Sequence, residues 1–336
     1  MSRTVGADQH RLPPTLGVVA VLTAAALFGM LGPLARFAYD AGLEPASFVA
    51  WRAAIGLLAL VAFVAWRVRR GTSRLIRPAM LSRRVKVTLL TAAVMGFLLN
   101  LCMFVAFDRV TIALALLGFY TYPAMVAVVN MVLGRERLDA VRATALAMAL
   151  VGMVAVVASQ LDPESGIRLD ALGIGLALGA ALSQTVYVVI SRDGYQQVPT
   201  EQALVVVLAV TVLGATAIAL IGSSPASLIE PIGSPSVIPL LLFTGIFSAA
   251  IPSLGFLAGI RSIGGTRAGI LMLFEPVVGV ALAAWLLDES LVPLQVAGAA
   301  AILAAAILLQ RGTRTEGVGA DGADDERAPA LVSGGS

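Results

Sequence analysis

The sequence predicts an all-α integral membrane protein, with ten transmembrane helices arranged as two inverted five-helix repeats. Three observations predict it: the composition, the number of long apolar segments, and an internal repeat at half the chain length. The 336 residues are 59% hydrophobic and 13% charged, with a mean hydropathy of +0.93. A soluble domain carries about 25% charged residues. This chain has too few polar residues to cover an apolar core in water.

Ten apolar segments are each near the length of about 20 residues that crosses a bilayer as a helix. The first run is longer than the apolar region of a signal peptide, which predicts an uncleaved span. Residues 1–14 and 312–336 are predicted to be tails, the second one disordered because it is rich in Gly, Asp, Ala and Ser. The predicted helices are 15–36, 45–66, 87–107, 110–133, 141–159, 170–190, 203–222, 236–260, 266–287 and 292–310.

The positions of arginine and lysine predict the orientation in the membrane. Nineteen of them lie in the two tails and in the connections on the same side of the membrane as the tails. Three lie on the other side, and Arg52 lies within the second helix. Basic residues concentrate on the cytoplasmic side, so both termini are predicted to be cytoplasmic in an inner (plasma) membrane. Residues 67–86 hold much of this excess. An orientation signal explains the segment, and contact with anionic lipids is the alternative.

The two halves of the chain share a pattern of proline and glutamate. Pro123 precedes Glu136 by the same distance as Pro276 precedes Glu289, and the offset between the two pairs is 153 residues. This predicts a duplication, with repeats at 15–160 and 169–311. Because five spans per half is an odd number, the second half would enter the membrane from the opposite side. Inverted repeats are typical of secondary transporters, with a substrate site near the midplane.

Glycine spacing adds two expectations. Residues at the start of the two halves match at an offset of 156, and three GxxxG motifs predict close helix packing. The matched pair is Gly17 and Gly173, and the motifs are Gly175/Gly179, Gly255/Gly259 and Gly265/Gly269.

Two segments resemble a known family. YPAMVAVVNMVLGRERL and LFEPVVGVALAAWLLDESL resemble the paired endings of the two halves in EamA-type proteins of the drug/metabolite transporter superfamily. Arg52 resembles an arginine often found in the second helix, whereas the corresponding residue of the second half, Val206, departs from it. The resemblance implies an inverted-repeat carrier that moves small metabolites, often amino acids or amphipathic compounds, and often outward. It covers residues 15–311.

Enzymatic classes lack their motifs. The single lysine, Lys86, is not part of a nucleotide-binding loop, and the single histidine, His10, lies in the tail. No metal, cofactor or nucleic acid is therefore expected, and the basic residues alternate with apolar spans as membrane orientation requires. Transport would use a gradient of protons, sodium or the substrate itself. A channel, an intramembrane enzyme and a membrane scaffold are the rivals, and a homodimer stays open.

Two ionisable side chains within the spans are the leading site candidates. Glu275 lies mid-span beside Pro276, where burying a carboxylate is costly. It would take up a proton in a dry cavity, or would only tie neighbouring helices together. Arg52 would pair with a carboxylate of the cargo or of the protein, or extend toward the membrane surface.

Further polar residues are candidates for a mixed aromatic and hydrogen-bonding pocket, with helix-to-helix contacts as the alternative. Ser183 and Tyr187 are four residues apart, which predicts a shared helix face. The full set is Asn100, Tyr120, Tyr122, Ser183, Gln184 and Tyr187, with Pro123, Pro252 and Pro276 as predicted helix hinges. Export of amino acids or related metabolites is the predicted function, and efflux of drug-like amphiphiles is the alternative.

Overall fold

The protein is described from a computed structural model that covers residues 12–136, 139–159, 170–222, 226–229, 237–287 and 292–325. Every regular element in these ranges is helical. The first half contains α1 (Pro14–Phe28), α2 (Leu31–Asp40), α3 (Pro45–Arg69), α4 (Arg83–Arg109), α5 (Ile112–Phe119), α6 (Tyr122–Val132) and α7 (Ala140–Ala158). The second half contains α8 (Ala171–Asp193), α9 (Thr200–Gly222), α10 (Ala226–Ile229), α11 (Val237–Gly245), α12 (Ile251–Ile263), α13 (Gly265–Met272), α14 (Glu275–Leu287) and α15 (Pro293–Asp325).

The protein is a multi-pass membrane protein. Within the described residues, eight helical segments are long and apolar enough to cross a membrane, and Pro293–Leu309 is a shorter apolar helix. The eight segments correspond to the first eight predicted helices. The ninth predicted helix corresponds to α13 and α14, which together run from Gly265 to Leu287.

The predicted C-terminal tail is described only in part. Helix α15 continues to Asp325, within residues 312–336 that were expected to be a disordered tail, and residues 326–336 lie outside the described residues. Proline is the strongest local signal that ends a helix, and none occurs between Pro293 and Pro329.

Proline explains where two membrane segments break. A proline has no N–H, so the carbonyl four residues before it loses its helical partner. The carbonyls of Phe119 and Met272 lie four residues before Pro123 and Pro276, and α5 and α13 end at these two residues. The two halves therefore break at matching places. A third break, between α1 and α2 at Gly29, was not predicted.

Pro252 has a different effect from the other two prolines. The segment from Val237 to Ile263 remains helical, but Ile246–Ala250 winds as a π-helix directly before α12, in which Pro252 is in the first turn. A π-bulge accommodates the carbonyl that a proline leaves free, and such bulges are frequent at functional sites. Pro252, which was predicted to be a hinge, thus lies next to a π-helical turn.

Helix pairing follows the equivalence of the two halves. Helix α1 packs on α12, as α8 packs on α4. Helices that correspond to each other also pack together: α3 with α9, α6 with α13, and α7 with α15. This exchange of partners is what two related five-helix units produce when they interlock.

Close contacts at glycine follow the same equivalence. A Cβ atom on Gly17 would lie 2.8 Å from the Cβ of Ser262, and one on Gly173 would lie 2.8 Å from a Val110 methyl. Gly152 and Gly298 face each other between α7 and α15. A Cβ atom on Gly152 would lie 2.6 Å from the Gly298 carbonyl oxygen, and one on Gly298 would lie 2.5 Å from the Gly152 carbonyl oxygen. A side chain at Gly17 or Gly173 would displace the neighbouring side chains, whereas at Gly152 and Gly298 two backbones are in contact.

One predicted packing motif is wrong. A Cβ added to Gly175 would meet no atom within 4 Å, and one on Gly179 would meet only the sulfur of Cys102 at 4.0 Å. By contrast, a Cβ on Gly255 would lie 2.9 Å from the carbonyl oxygen of Ala20 on α1. The spacing alone could not distinguish the motif that faces a helix from the one that does not.

Candidate functional site

A cavity of about 810 Å³ lies in the middle of the helix bundle and is lined by helices from both halves. Its volume is within the range of small-molecule sites. Most of its surface is apolar, with Phe28, Phe104, Phe107, Phe119 and Phe256 among its lining residues.

The cavity reaches one end of the bundle. Its lining includes Ser159, which follows α7, and Val292, which precedes α15. These helix ends are on the side that the charge distribution predicts to be outside. At the other end the outermost lining residues are Tyr187, six residues before the end of α8, and Leu204, the fifth residue of α9.

The end of the bundle opposite the cavity mouth is held together by charged contacts. Arg192 at the end of α8 pairs with Glu136, which follows α6. Arg67 pairs with Glu201 at 2.8 Å and joins α3 to α9. Arg261 on α12 donates to the carbonyl oxygen of residue 198 at 2.8 Å and to the hydroxyl of residue 200 at 3.1 Å. Several helices would have to separate before the cavity could reach this end.

Arg52 lines the cavity and is only 4% exposed. It donates to the Ser248 carbonyl oxygen at 2.7 Å and to the side-chain oxygen of Asn100, and its guanidinium lies 4.8 Å from the Phe104 ring centroid. Ser248 is four residues before Pro252, so Arg52 supplies the hydrogen bond that this proline cannot. The predicted alternative of extension toward the membrane surface is therefore wrong.

The Arg52 guanidinium keeps some binding capacity. Its Nε atom is buried and has no hydrogen-bond partner, and no carboxylate among the described residues forms an ion pair with it. Asn100 is fixed in turn by a bond from its amide nitrogen to the carbonyl of Gly96, at 2.8 Å. Asn100 and Arg52 thus form one preorganised unit at the cavity wall.

Glu275 lines the same cavity at the first residue of α14. The hydroxyl groups of Tyr120 and Tyr122 lie near its carboxyl group. Tyr120 faces Glu275 and Tyr122 faces Gln184, but neither hydroxyl, nor the side-chain oxygen of Gln184, has a partner in full hydrogen-bond geometry. Gly29, at the break between α1 and α2, approaches the Glu275 carbonyl so closely that a Cβ atom would lie 2.7 Å from it. The α1–α2 break and the α5–α6 break therefore both lie next to Glu275.

The remaining predicted site residues differ in whether they border the cavity. Asn100, Tyr122, Gln184 and Tyr187 border the cavity together with Arg52 and Glu275. Tyr120 is fully buried next to Glu275 but does not border the cavity.

Ser183 differs from these residues in its position. It is buried, yet it is not among the residues that line the cavity. The cavity face of α8 is formed by Gln184 and Tyr187, which are three residues apart. Ser183 and Gln184 lie on either side of Tyr187 around the helix, about 40° and 60° from it, and the cavity is on the Gln184 side.

Sequence reasoning missed several lining residues. Thr211, Ser253 and Gln295 contribute polar groups to the cavity, and Ser159 lies at its mouth. Isolated hydroxyl and amide groups in apolar helices carry no spacing signal, although Ser253 directly follows the predicted hinge at Pro252. Among the described residues, no group of three or more His, Cys, Asp and Glu side chains is placed to hold a metal ion.

Comparison with known proteins identifies the family. The EamA-like transporter family matches residues 15–158 and again residues 171–311, which are the two halves described above. Twenty-nine chains of solved structures match. One of them, described only as the crystal structure of a protein, has a TM-score of 0.72 at 20% identity and covers 87% of this chain and 95% of its own. No curated protein matches the chain significantly.

At this identity the structural likeness shows the fold alone, whereas the two family matches cover most of the chain. The family is one of membrane transporters and not of enzymes, which implies a small-molecule substrate and a lipid bilayer. The chain belongs to the EamA-like transporter family.

Proposed function

We propose that this protein is a secondary transporter that exports small zwitterionic metabolites, with amino acids as the leading class, across the inner membrane by alternating access. One observation carries the proposal. The lining of the central cavity contains two ionisable side chains of opposite type, the basic Arg52 and the acidic Glu275, in largely apolar surroundings. A cargo that carries one carboxylate and one ammonium group complements this pair.

The chemistry of the two groups assigns the orientation of the cargo. A carboxylate would bind the guanidinium of Arg52, which forms strong charge-assisted bonds with carboxylates. The ammonium group would face Glu275 and the hydroxyl of Tyr122, both of which line the cavity. The apolar remainder of the cargo would contact the phenylalanine side chains of the lining.

Alternating access is supported by the fold. The cavity reaches one end of the bundle, and the other end is held by the Arg192–Glu136 and Arg67–Glu201 pairs. If the ten helices form two inverted repeats, exchanging the conformations of the two halves would open the other end around the same central site. The matching breaks of α5/α6 and α13/α14 support this topology. The distribution of arginine and lysine supports cytoplasmic termini.

The contacts of Arg52 suggest how binding would move the helices. Arg52 holds the Ser248 carbonyl, which lies inside the π-helical turn next to Pro252. A cargo carboxylate would compete for the same guanidinium and release this turn. Pro252 would then act as a hinge of the α11–α12 segment. Pro123 would be the hinge between α5 and α6, and Pro276 the hinge between α13 and α14.

Glu275 is the group that we propose for proton coupling. An ionised carboxylate binds an ammonium cargo, whereas a protonated one does not attract it. Proton binding and cargo binding would therefore exclude each other, which is the requirement for exchange of the two. Sodium is the alternative coupling ion.

Counterflow in liposomes tests the function. Purified protein in liposomes loaded with an unlabelled amino acid should accumulate the labelled amino acid transiently and saturably. A channel would give flux without transient accumulation, and a scaffold would give none; either result contradicts the proposal. Ser183→Ala is the matched control, because Ser183 is buried outside the cavity and its loss should leave counterflow unchanged.

A second candidate is efflux of drug-like amphiphiles, which the aromatic lining favours. An aromatic cation without a carboxylate, such as ethidium, would bind Glu275 and the phenylalanines but gain nothing from Arg52. Ethidium that competes for counterflow as well as the amino acid does would support this candidate over the zwitterion.

A further inference from the structure

The connection between α3 and α4 forms a surface of exposed positive charge. No acidic residue occurs between Arg67 and Lys86. Seven basic side chains of this segment are exposed: Arg69, Arg70, Arg74, Arg77, Arg83, Arg84 and Lys86. Two apolar side chains lie among them, Leu75 at 67% and Met80 at 81% exposure. We call residues 69–86 the basic loop.

The basic loop is fixed to the first turn of α9. Ser73 is buried and donates to the Glu201 carboxylate at 3.1 Å. The Gln202 side chain accepts from the Ile76 N–H at 3.0 Å and donates to the Arg74 carbonyl at 2.8 Å. An orientation signal needs only charge on the correct side of the membrane and no fixed conformation. The contacts with Glu201 and Gln202 are therefore additional to what orientation requires.

The start of α4 gives a second argument. Arg83, Arg84 and Lys86 lie in its first turn, where the helix dipole and free N–H groups favour negative charge and disfavour cations. Three basic residues at this position repel the helix end and each other unless an anion is bound near them. The positions of these residues favour an anionic partner over solvent.

We propose that the basic loop is a binding surface for the headgroups of anionic phospholipids, with Leu75 and Met80 in contact with the acyl region. The loop directly follows and precedes membrane helices, so its charges lie at the depth of the headgroups on the side predicted to be cytoplasmic. Juxtamembrane clusters of four to eight basic residues attract anionic lipids. This inference does not depend on the identity of the transported cargo.

Trp66 provides a direct probe of lipid binding. It is 50% exposed on the last turns of α3, and the Arg70 guanidinium lies 5.0 Å from its ring centroid. A variant that carries Trp51→Phe and Trp285→Phe keeps Trp66 as its one tryptophan. Quenching of Trp66 by brominated phosphatidylglycerol and by brominated phosphatidylcholine gives the relative affinity for the two lipids.

We expect phosphatidylglycerol to quench Trp66 at several-fold lower mole fraction than phosphatidylcholine. Each basic residue near an anionic surface contributes up to about fivefold to binding, so the loss of two charges in the double variant Arg74→Gln/Arg77→Gln is enough to abolish a several-fold preference. The matched control Arg74→Lys/Arg77→Lys keeps both charges and should keep the preference. Inorganic phosphate added to the aqueous phase should not displace the lipid.

Two results would overturn the proposal. Equal quenching by the two lipids would show that the loop does not select anionic headgroups. An equal loss of preference in the lysine and glutamine double variants would show that charge is not its basis. Gln202→Ala tests the fixed conformation, because it removes three hydrogen bonds to the loop without changing any charge. An unchanged preference in that variant would refute the role of docking on α9.

Discussion

Two glycines with the same motif spacing are predicted to respond in opposite ways to the same substitution. Gly255→Ala on α12 places a Cβ atom 2.9 Å from the Ala20 carbonyl oxygen of α1. Gly175→Ala on α8 places it in open space, with no atom within 4 Å. The partner at Gly255 is backbone, so it cannot move aside as a flexible side chain can.

The magnitude follows from two opposing terms. Replacing glycine by alanine inside a helix gains up to about 1 kcal/mol in helix propensity. Forcing an extra carbon into a closely packed contact costs about 1–3 kcal/mol. The propensity gain is common to both variants and cancels in the comparison. We therefore expect Gly255→Ala to be about 1–3 kcal/mol less stable than Gly175→Ala, with the latter equal to or more stable than the parent.

Thermal unfolding of the purified variants in one detergent measures the difference. Gly255→Ala should have a Tm several degrees below that of Gly175→Ala. Equal Tm values, or a lower Tm for Gly175→Ala, would refute the assignment of close packing to the α1–α12 contact.

Two further predictions concern the transport cycle. Glu275→Gln should abolish accumulation driven by a proton gradient while leaving exchange of cargo for cargo; normal pH-driven accumulation by a variant that inserts correctly would rule out its coupling role. Glu136→Gln should weaken the contact with Arg192. This ion pair is partly exposed and contributes up to about 1 kcal/mol, so its loss should raise the fraction of molecules open at that end by up to about fivefold. In a Cys102→Ser background, a cysteine substituted for Tyr187 should then react several-fold faster with an impermeant thiol reagent from the cytoplasmic side. No change in this rate would contradict a closing role for the ion pair.

Local sequence signals predicted the first eight membrane segments, and two of the prolines predicted as hinges lie at breaks in helices that were predicted to be continuous. Pro123 and Pro276 end the preceding helices four residues earlier, because a missing N–H acts only within one turn. Helix ends were less predictable. Helix α4 begins at Arg83 and not at residue 87 as predicted. Ser82 caps this start, because its side-chain oxygen accepts a hydrogen bond from the backbone N–H of Val85 at 3.4 Å. Charged residues in the first turn lower the hydropathy but do not prevent helix formation.

The site could be predicted only in part. Arg52 and Glu275 were recognisable because ionisable groups are costly at membrane depth. The bond from Arg52 to Ser248 joins residues 196 apart, and no local pattern connects them. Ser183 and Gln184 are adjacent in the sequence, and only the rotation of α8 within the bundle places one of them at the cavity. Long-range packing therefore decides what local chemistry leaves open.

The central claim is that Arg52 and Glu275 together select a zwitterion. The most direct test is inhibition of amino acid counterflow by three matched compounds: phenylalanine, phenethylamine without the carboxylate, and 3-phenylpropanoate without the ammonium group. In the parent protein, phenylalanine should compete at least tenfold better than either analogue. In Arg52→Gln the advantage over phenethylamine should disappear, while the advantage over 3-phenylpropanoate should remain. Equal competition by all three compounds in the parent protein would contradict the account.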